Sequence, residues 1–234
     1  MIYKIADIIT EYTPQYENLR RFSAPFRYTG ERPVQIKLAV SEEQMERTME
    51  RMTNPSKEKV ENFLYSCAFN RAVIRYHAML IHSSGIICNG GAYLFAAVSG
   101  MGKSTHTRLW LQEFGDEVHI FNDDKPVVRA DAHGVTAYGT PFDGGSGIAH
   151  NESAPLKAIV FLERGEQNDV RVPSSKEIIQ RLYFQTAHKV GAQTAEAMLG
   201  NFDRLIKSSV PFYVLTCNMF PEAAHVARNA IVKS

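Results

Sequence analysis

AAVSGMGKST, residues 96–105, lies between an apolar run and a helix-prone one, and its reading decides the fold. It departs at one place from G-x-x-x-x-G-K-[ST], the pattern of a loop whose backbone N–H groups wrap phosphates. Ala97 stands where the pattern has its first glycine. Gly100 and Gly102 keep the permissive backbone, Lys103 brings a cation to the phosphates, and Ser104 brings a hydroxyl that can ligate Mg²⁺. An alanine at 97 restricts the chain but removes no donor. "AYLFAAV" (92–98) reads as a strand, and "STHTRLWLQEF" after the lysine reads as a helix that stops at Gly115. The loop therefore falls at a strand-to-helix turn, with the positive end of the helix beneath the phosphates. The alternative, a chance glycine turn before a helix, does not account for GKS in that setting.

About twenty residues beyond Lys103 comes Asn122-Asp123-Asp124, directly after the strand-like "VHIF". Acids at the end of a strand beside the loop strand are where a phosphate-loop phosphotransferase keeps a second Mg²⁺ contact or its base. Adjacent side chains on a strand point to opposite faces, so one acid can face the metal and the other an acceptor hydroxyl. A turn or helix-cap acid cluster is the alternative.

Working outward, "MLIHSSGIICNGGAYLFAAVSG" reads as two strands joined at Asn89-Gly90-Gly91. Residues 1–40 read as short strands, with "VQIKLAV" the clearest. Ser41 begins a short helix rich in acids at its start, and "SKEKVENFLYSCAFNRAVIRYHAML" fits a second one. After the acids, "GVTAYGTPFDGGSG" is a strand running into a glycine-rich loop, and "LKAIVFLERG" is a buried strand. Two helices, "SSKEIIQRLYFQTAH" and "AQTAEAMLGNFDRLIKSS", precede a last strand, "PFYVLTCN", and a helix opened by Pro221. The strand–helix alternation predicts an α/β core over residues 76–234, with an N-terminal strand and helix extension, residues 1–75, packed on it.

Composition bounds the function. The chain has 234 residues, 44% of them hydrophobic and 22% charged, as expected of a globular enzyme. A net charge of +1 points to neither a nucleic-acid partner nor a membrane surface. Cys67, Cys88 and Cys217 form no CxxC pair, which suits a reducing compartment, and no apolar run reaches the length of a membrane span. The expectation is a cytoplasmic protein. His133 and His150 show no metal-ligand spacing, so no structural zinc is expected.

The combination "LIHSSG…GGAYLFAAVSGMGKST…FNDD" resembles the catalytic domain of HPr kinase/phosphorylase and its HPr-kinase-related relatives, which share a fold with ATP-dependent phosphoenolpyruvate carboxykinase. Ser99-Gly100 matches the inner S-G of that family's loop, His82 its histidine on the preceding strand, and Asp123-Asp124 its aspartate pair. The runs "STHTRLW", "NDDKPVVR", "YGTPF" and "PLKAIVFLERG" carry the likeness over roughly residues 75–234. The resemblance implies a phosphate-loop core on a mixed β-sheet. It assigns Lys103 and the backbone of Ser99, Gly100, Met101, Gly102, Ser104 and Thr105 to ATP, and Ser104 and Asp124 to Mg²⁺. Asp123 would take the acceptor's proton, and His82 would sit beside that base. Ala97 departs from the family, "YGTPFDGG" stands where the relatives have an L-E-x-R-G-like signature, and Asp143 is the acid available there.

The leading expectation is an ATP- and Mg²⁺-dependent kinase acting on a serine-like hydroxyl of a small molecule, peptide or small protein. A regulatory module that binds ATP without transferring phosphate is the second reading, and a carboxykinase the third. Because relatives include hexamers, self-association is allowed. Arg108 is either a surface group or a phosphate contact, and Arg129 and Arg164 are either salt-bridged or anion-binding.

Overall fold

Short apolar stretches cut by turn residues fold the first forty residues into β1 (Ile2–Ile5), β2 (Ile8–Glu11), the helix α1 (Glu17–Ser23) and β3 (Ile36–Lys37) in the computed structural model, which describes residues 1–186 and 192–232. These strands form a three-stranded sheet in the order β1-β2-β3. The helix α1 was not expected, and only two residues of "VQIKLAV" are strand. Next come α2 (Glu42–Met49) and α3 (Lys57–Val73). A capping box between Ser41 and Gln44 starts α2.

The core continues with β4 (Ala78–Leu80), β5 (Ser83–Cys88), β6 (Gly91–Ala96), α4 (Lys103–Phe114), β7 (Val118–Asp124), β8 (Val127–Asp131), β9 (Gly134–Tyr138) and β10 (Ser153–Arg164). It ends with β11 (Asp169–Arg171), α5 (Ser175–Thr186), α6 (Ala192–Lys207), β12 (Phe212–Cys217) and α7 (Glu222–Ile231). The main sheet is mixed, in the order β4-β8-β9-β10-β6-β5-β7, with β12 pairing along the C-terminal half of β10 and β11 beyond β12. Asn89 and Gly90, both at positive φ, close the β5–β6 hairpin at the predicted place.

β6 is buried at every position because both faces of the sheet are covered. Ala92, Leu94 and Ala96 pack with Leu182 of α5 and Phe202 of α6. Tyr93, Phe95 and Ala97 pack with Trp110 of α4 and Ala227 of α7. The N-terminal sheet shares a third apolar cluster with the core: Tyr3, Ile8 and Phe26 meet Tyr65 and Phe69 of α3, Leu80, Val127 and Phe142. Among the described residues, no helix is long and apolar enough to cross a membrane.

Two expected elements change. The long helix stops at Val73, where a 3-10 turn and a left-handed His77 redirect the chain into β4. The strand expected from Met79 to Cys88 is broken at Ile81-His82. β4 pairs with β8, whereas β5 pairs with β6 and β7. His82 thus lies in the break rather than on a strand.

Candidate functional site

α4 begins directly on Lys103. Its N-cap, Gly102, lies at φ 99° and makes no side-chain cap, so the first-turn N–H groups have no side-chain acceptor from the cap. Gly100, at φ 79°, makes the other left-handed turn. Ala97 has a negative φ and is only 5% exposed, so this position asks for neither glycine's freedom nor its missing Cβ. The Lys103 ammonium donates to the Ala97 carbonyl at 3.1 Å, bridging the two ends of the loop. Burial pushes the Lys103 pKa down, and the charges of Asp124 and Asp123 push it back up. Arg164, at the end of β10, donates to the Gly100 carbonyl and braces the loop from outside.

The acids come to this loop on β7, which carries an irregularity. Gly85 of β5 faces Asn122 but Ile86 faces Ile120, so Phe121 is one residue too many. Strict alternation would send Asp124 to the face of Val118 and Ile120, which pack toward α4. One extra residue reverses that parity. Asp123 is the acid that reaches α4, accepting a hydrogen bond from the Ser104 hydroxyl at 3.0 Å.

Asp124 faces elsewhere. Its Oδ1 is 3.1 Å from His82 Nε2 and its Oδ2 is 2.6 Å from the Lys125 ammonium. Burial opposes its ionisation, but the hydrogen bond from His82 and the Lys125 charge outweigh burial and hold the carboxyl far below the usual carboxylate range. Its backbone adopts φ 137°, a conformation uncommon for a residue with a side chain and one that concentrates at functional sites. Gly144 roofs it: a Cβ there would stand 2.7 Å from the Asp124 carboxyl carbon.

His82, Ser99, Gly100, Gly102, Lys103, Ser104, Thr105, Asp123 and Asp124 all line one cavity of about 440 Å³, together with Arg108, Gly144 and Ser146. Of the expected site residues only Met101 turns away. Its side chain packs on the apolar cluster around Trp110, and its N–H donates to the Val98 carbonyl at 3.2 Å. The expected pairing of His82 with Asp123, and of Ser104 with Asp124, is reversed by the bulge. Arg108 is exposed on the cavity rim and has no ion-pair partner among the described residues. Arg129 ties β8 to the N-terminal sheet through the Ala6 carbonyl at 3.1 Å.

Asp143 organises its own loop. Its carboxylate accepts from the N–H groups of Gly145, Ser146 and Gly147 and from the Ser146 hydroxyl. Asn62 of α3 fastens this loop by donating to the Asp143 carbonyl at 3.0 Å. Gln185, at the end of α5, was missed in the sequence. Its carbonyl accepts from His82 N–H at 3.0 Å, and its amide nitrogen, turned toward them, meets the carbonyls of Ala97 and His82. One side chain therefore ties the histidine to the start of the loop. Lys125, also missed, was legible as the next residue of "NDDK".

Among the described residues no group of three or more His, Cys, Asp or Glu is placed to hold a metal ion. The Ser104–Asp123 pair supplies two hard oxygen donors, which suits Mg²⁺ because that ion is held by one or two carboxylates together with substrate phosphates. Comparisons with models of known protein families and with curated proteins find no match to this chain.

Proposed function

We propose that this chain is an ATP- and Mg²⁺-dependent phosphotransferase with an alcohol as acceptor. The observation that carries the reading is the convergence, in one cavity, of a GKS loop at a helix N-terminus with two acids that have different partners. The loop N–H groups and Lys103 bind the β- and γ-phosphates, and Arg108 on the rim meets the outer phosphate charge. Ser104 and Asp123 would hold Mg²⁺, which when bound would neutralise charge on the transferring phosphoryl group. Asp124 is the base, fixed by His82 and Lys125. These roles exchange the two aspartates relative to the order the family resemblance implies.

In the transfer, the acceptor oxygen forms a bond to the γ-phosphorus while the bond from that phosphorus to the β–γ bridging oxygen breaks. The electron pair leaves with ADP, and the hydroxyl proton passes to Asp124. A carboxylate suffices because the proton leaves late in a loose transition state. The test is phosphorus NMR of Mg-ATP with the protein and a whole cell extract, with Asp124→Asn as control. A phosphomonoester signal that the variant does not produce is the expected result. Intact ATP, despite a nucleotide-dependent rise in melting temperature, would move the assignment to the regulatory ATP-binding module.

A further inference from the structure

A second cavity, of about 470 Å³, meets the first at Ser99, Asp124 and Gly144. Its floor adds Lys125, Asp143 and Gly145, and its walls come from the N-terminal extension: Asn18 and Phe22 of α1, Met52, and Glu58, Lys59, Asn62 and Phe63 of α3. We propose that it is the acceptor site, and that the acceptor is a low-mass alcohol with an aromatic or other apolar body rather than a protein. The inference rests on the phosphotransferase reading above and goes beyond it by naming the substrate class.

Position comes first. The shared border includes the carboxylate that would take the acceptor's proton, so a hydroxyl entering from the second cavity reaches Asp124 directly. Of these two cavities, His82, Lys103 and Ser104 line only the first, and residues of α1 and α3 line only the second. A nucleotide in the first cavity and an acceptor in the second would thus meet at the border that carries Asp124.

Shape and chemistry select the class. The cavity has the size of a small-molecule site, with Phe22, Met52 and Phe63 as its apolar wall among a larger number of polar and charged side chains. Phe22, Met52 and Phe63 are half-buried and form the apolar part of the wall, with the Arg21 guanidinium 4.8 Å from the Phe22 ring centroid. Charge on the floor is already matched: Lys125 pairs with Asp124, and the Asp143 carboxylate is taken up by its own loop. Glu58 and Lys59 on the wall have opposite charge and no ion-pair partners among the described residues, so they offer polar contacts without favouring a strongly charged ligand. Asn62, 6% exposed, keeps its Oδ1 without a donor.

A protein acceptor needs a docking surface around the reactive serine, with a well-packed apolar centre inside a polar rim. Among the described residues, the large exposed apolar side chains include Met1, Ile2, Val98, Val172 and others up to Phe220. None comes from α1, α3 or the connection holding Met52. Among the described residues, the exposed apolar side chain next to this cavity in sequence is Val98, beside Ser99, a narrow feature for a protein-docking surface.

The test incubates the full chain with Mg-ATP radiolabelled on the γ-phosphate, separately with the low-mass and the macromolecular fraction of a cell extract. Phe22→Ala and Phe63→Ala are run alongside, and nucleotide-induced thermal stabilisation shows that each variant is folded. The expected result is label in the low-mass fraction, in a product retained on a reversed-phase column. Each variant should slow its formation at least about tenfold while keeping the nucleotide response. Label on protein would overturn the acceptor class and leave the phosphotransferase intact. So would a low-mass product that passes the column unretained, or one made equally fast by both variants. No transfer in either fraction, with nucleotide still stabilising the fold, would remove the phosphotransferase reading itself.

Discussion

His82 Nε2 and Asp124 Oδ1 meet at 3.1 Å across a gap between two strands, not along one. The break at Ile81-His82 lets the histidine leave the sheet, and Gln185 of α5 holds its backbone by a hydrogen bond from His82 N–H at 3.0 Å. Asp124 closes its own strand at φ 137°, turned toward that histidine and away from α4. Strain on one side and a fixed partner on the other leave the carboxylate little freedom, which suits the proposed role of proton acceptor.

The two aspartates should therefore fail differently. On the proposed roles, Asp124→Asn removes the base but leaves Ser104–Asp123 intact, so turnover should fall about a hundred- to ten-thousand-fold with nucleotide affinity nearly unchanged. Asp123→Asn leaves the base and weakens the metal site, so the Mg²⁺ concentration needed for nucleotide binding should rise. Nucleotide titrations at several Mg²⁺ concentrations, beside turnover measurements, separate the two. The opposite pattern would restore the order implied by the family resemblance.

Gly144→Ala tests how tightly Asp124 must be held. The added methyl would stand 2.7 Å from the Asp124 carboxyl carbon and 2.9 Å from its Oδ2, and the backbone of Gly144 does not itself require glycine. The carboxylate must give way, although His82 and Lys125 hold it. Since small misplacements of reacting groups are expensive, turnover should drop by about tenfold or more while the melting temperature changes little. Normal turnover in this variant would show that the clamp is not needed.

Much of this frame is legible locally. The loop, the Asn89-Gly90 hairpin and the stop of α4 at Gly115 each follow from a few adjacent residues, because glycine, asparagine and helix-forming patterns act over a single turn. The divergence of Asp123 and Asp124 follows in the same way from strand alternation. Which acid goes where does not, since that depends on Phe121 as an extra residue opposite Gly85, a matter of pairing between strands. Nor can the role of α3 be read from periodicity. Its buried face includes Glu61, Asn62 and Asn70, which hold the backbone at Gln15 and Tyr16, at Asp143, and at Leu80 and Thr186. Polar residues that satisfy distant backbone groups look, in sequence, like solvent-exposed positions.

Ala97→Gly would restore the usual loop pattern and should make the protein worse. Ala97 has a negative φ, so glycine relieves no strain, and its methyl is buried against the cluster around Trp110. The loss should be about 0.5–1 kcal/mol of stability from chain freedom alone, with no gain in nucleotide affinity. Denaturant unfolding and a nucleotide titration check both halves. Tighter binding by the variant would mean that the alanine restrains the loop.

Acid should destabilise the fold through a residue that takes no part in the chemistry. His106, on the inward face of α4, accepts a hydrogen bond from the Trp110 indole at 3.0 Å, lies 4.7 Å from the Phe95 ring, and has no partner for Nδ1. Burial pushes its pKa down from 6.5 to about 4, so the folded protein resists a proton that the unfolded chain takes up readily. Stability from this group is complete above pH 6.5 and is lost as pH falls toward 4. At about 1.4 kcal/mol per pKa unit, the loss reaches about 3 kcal/mol, a large fraction of an ordinary domain's stability. His106→Gln removes the titration, so the fall in melting temperature between pH 6.5 and 4, measured without nucleotide, should be shallower in the variant than in the parent. Carboxylates that titrate over the same range act in both proteins and cancel in the difference. Equal slopes would mean that His106 accepts its proton inside the folded core, with Trp110 turning away to release Nε2.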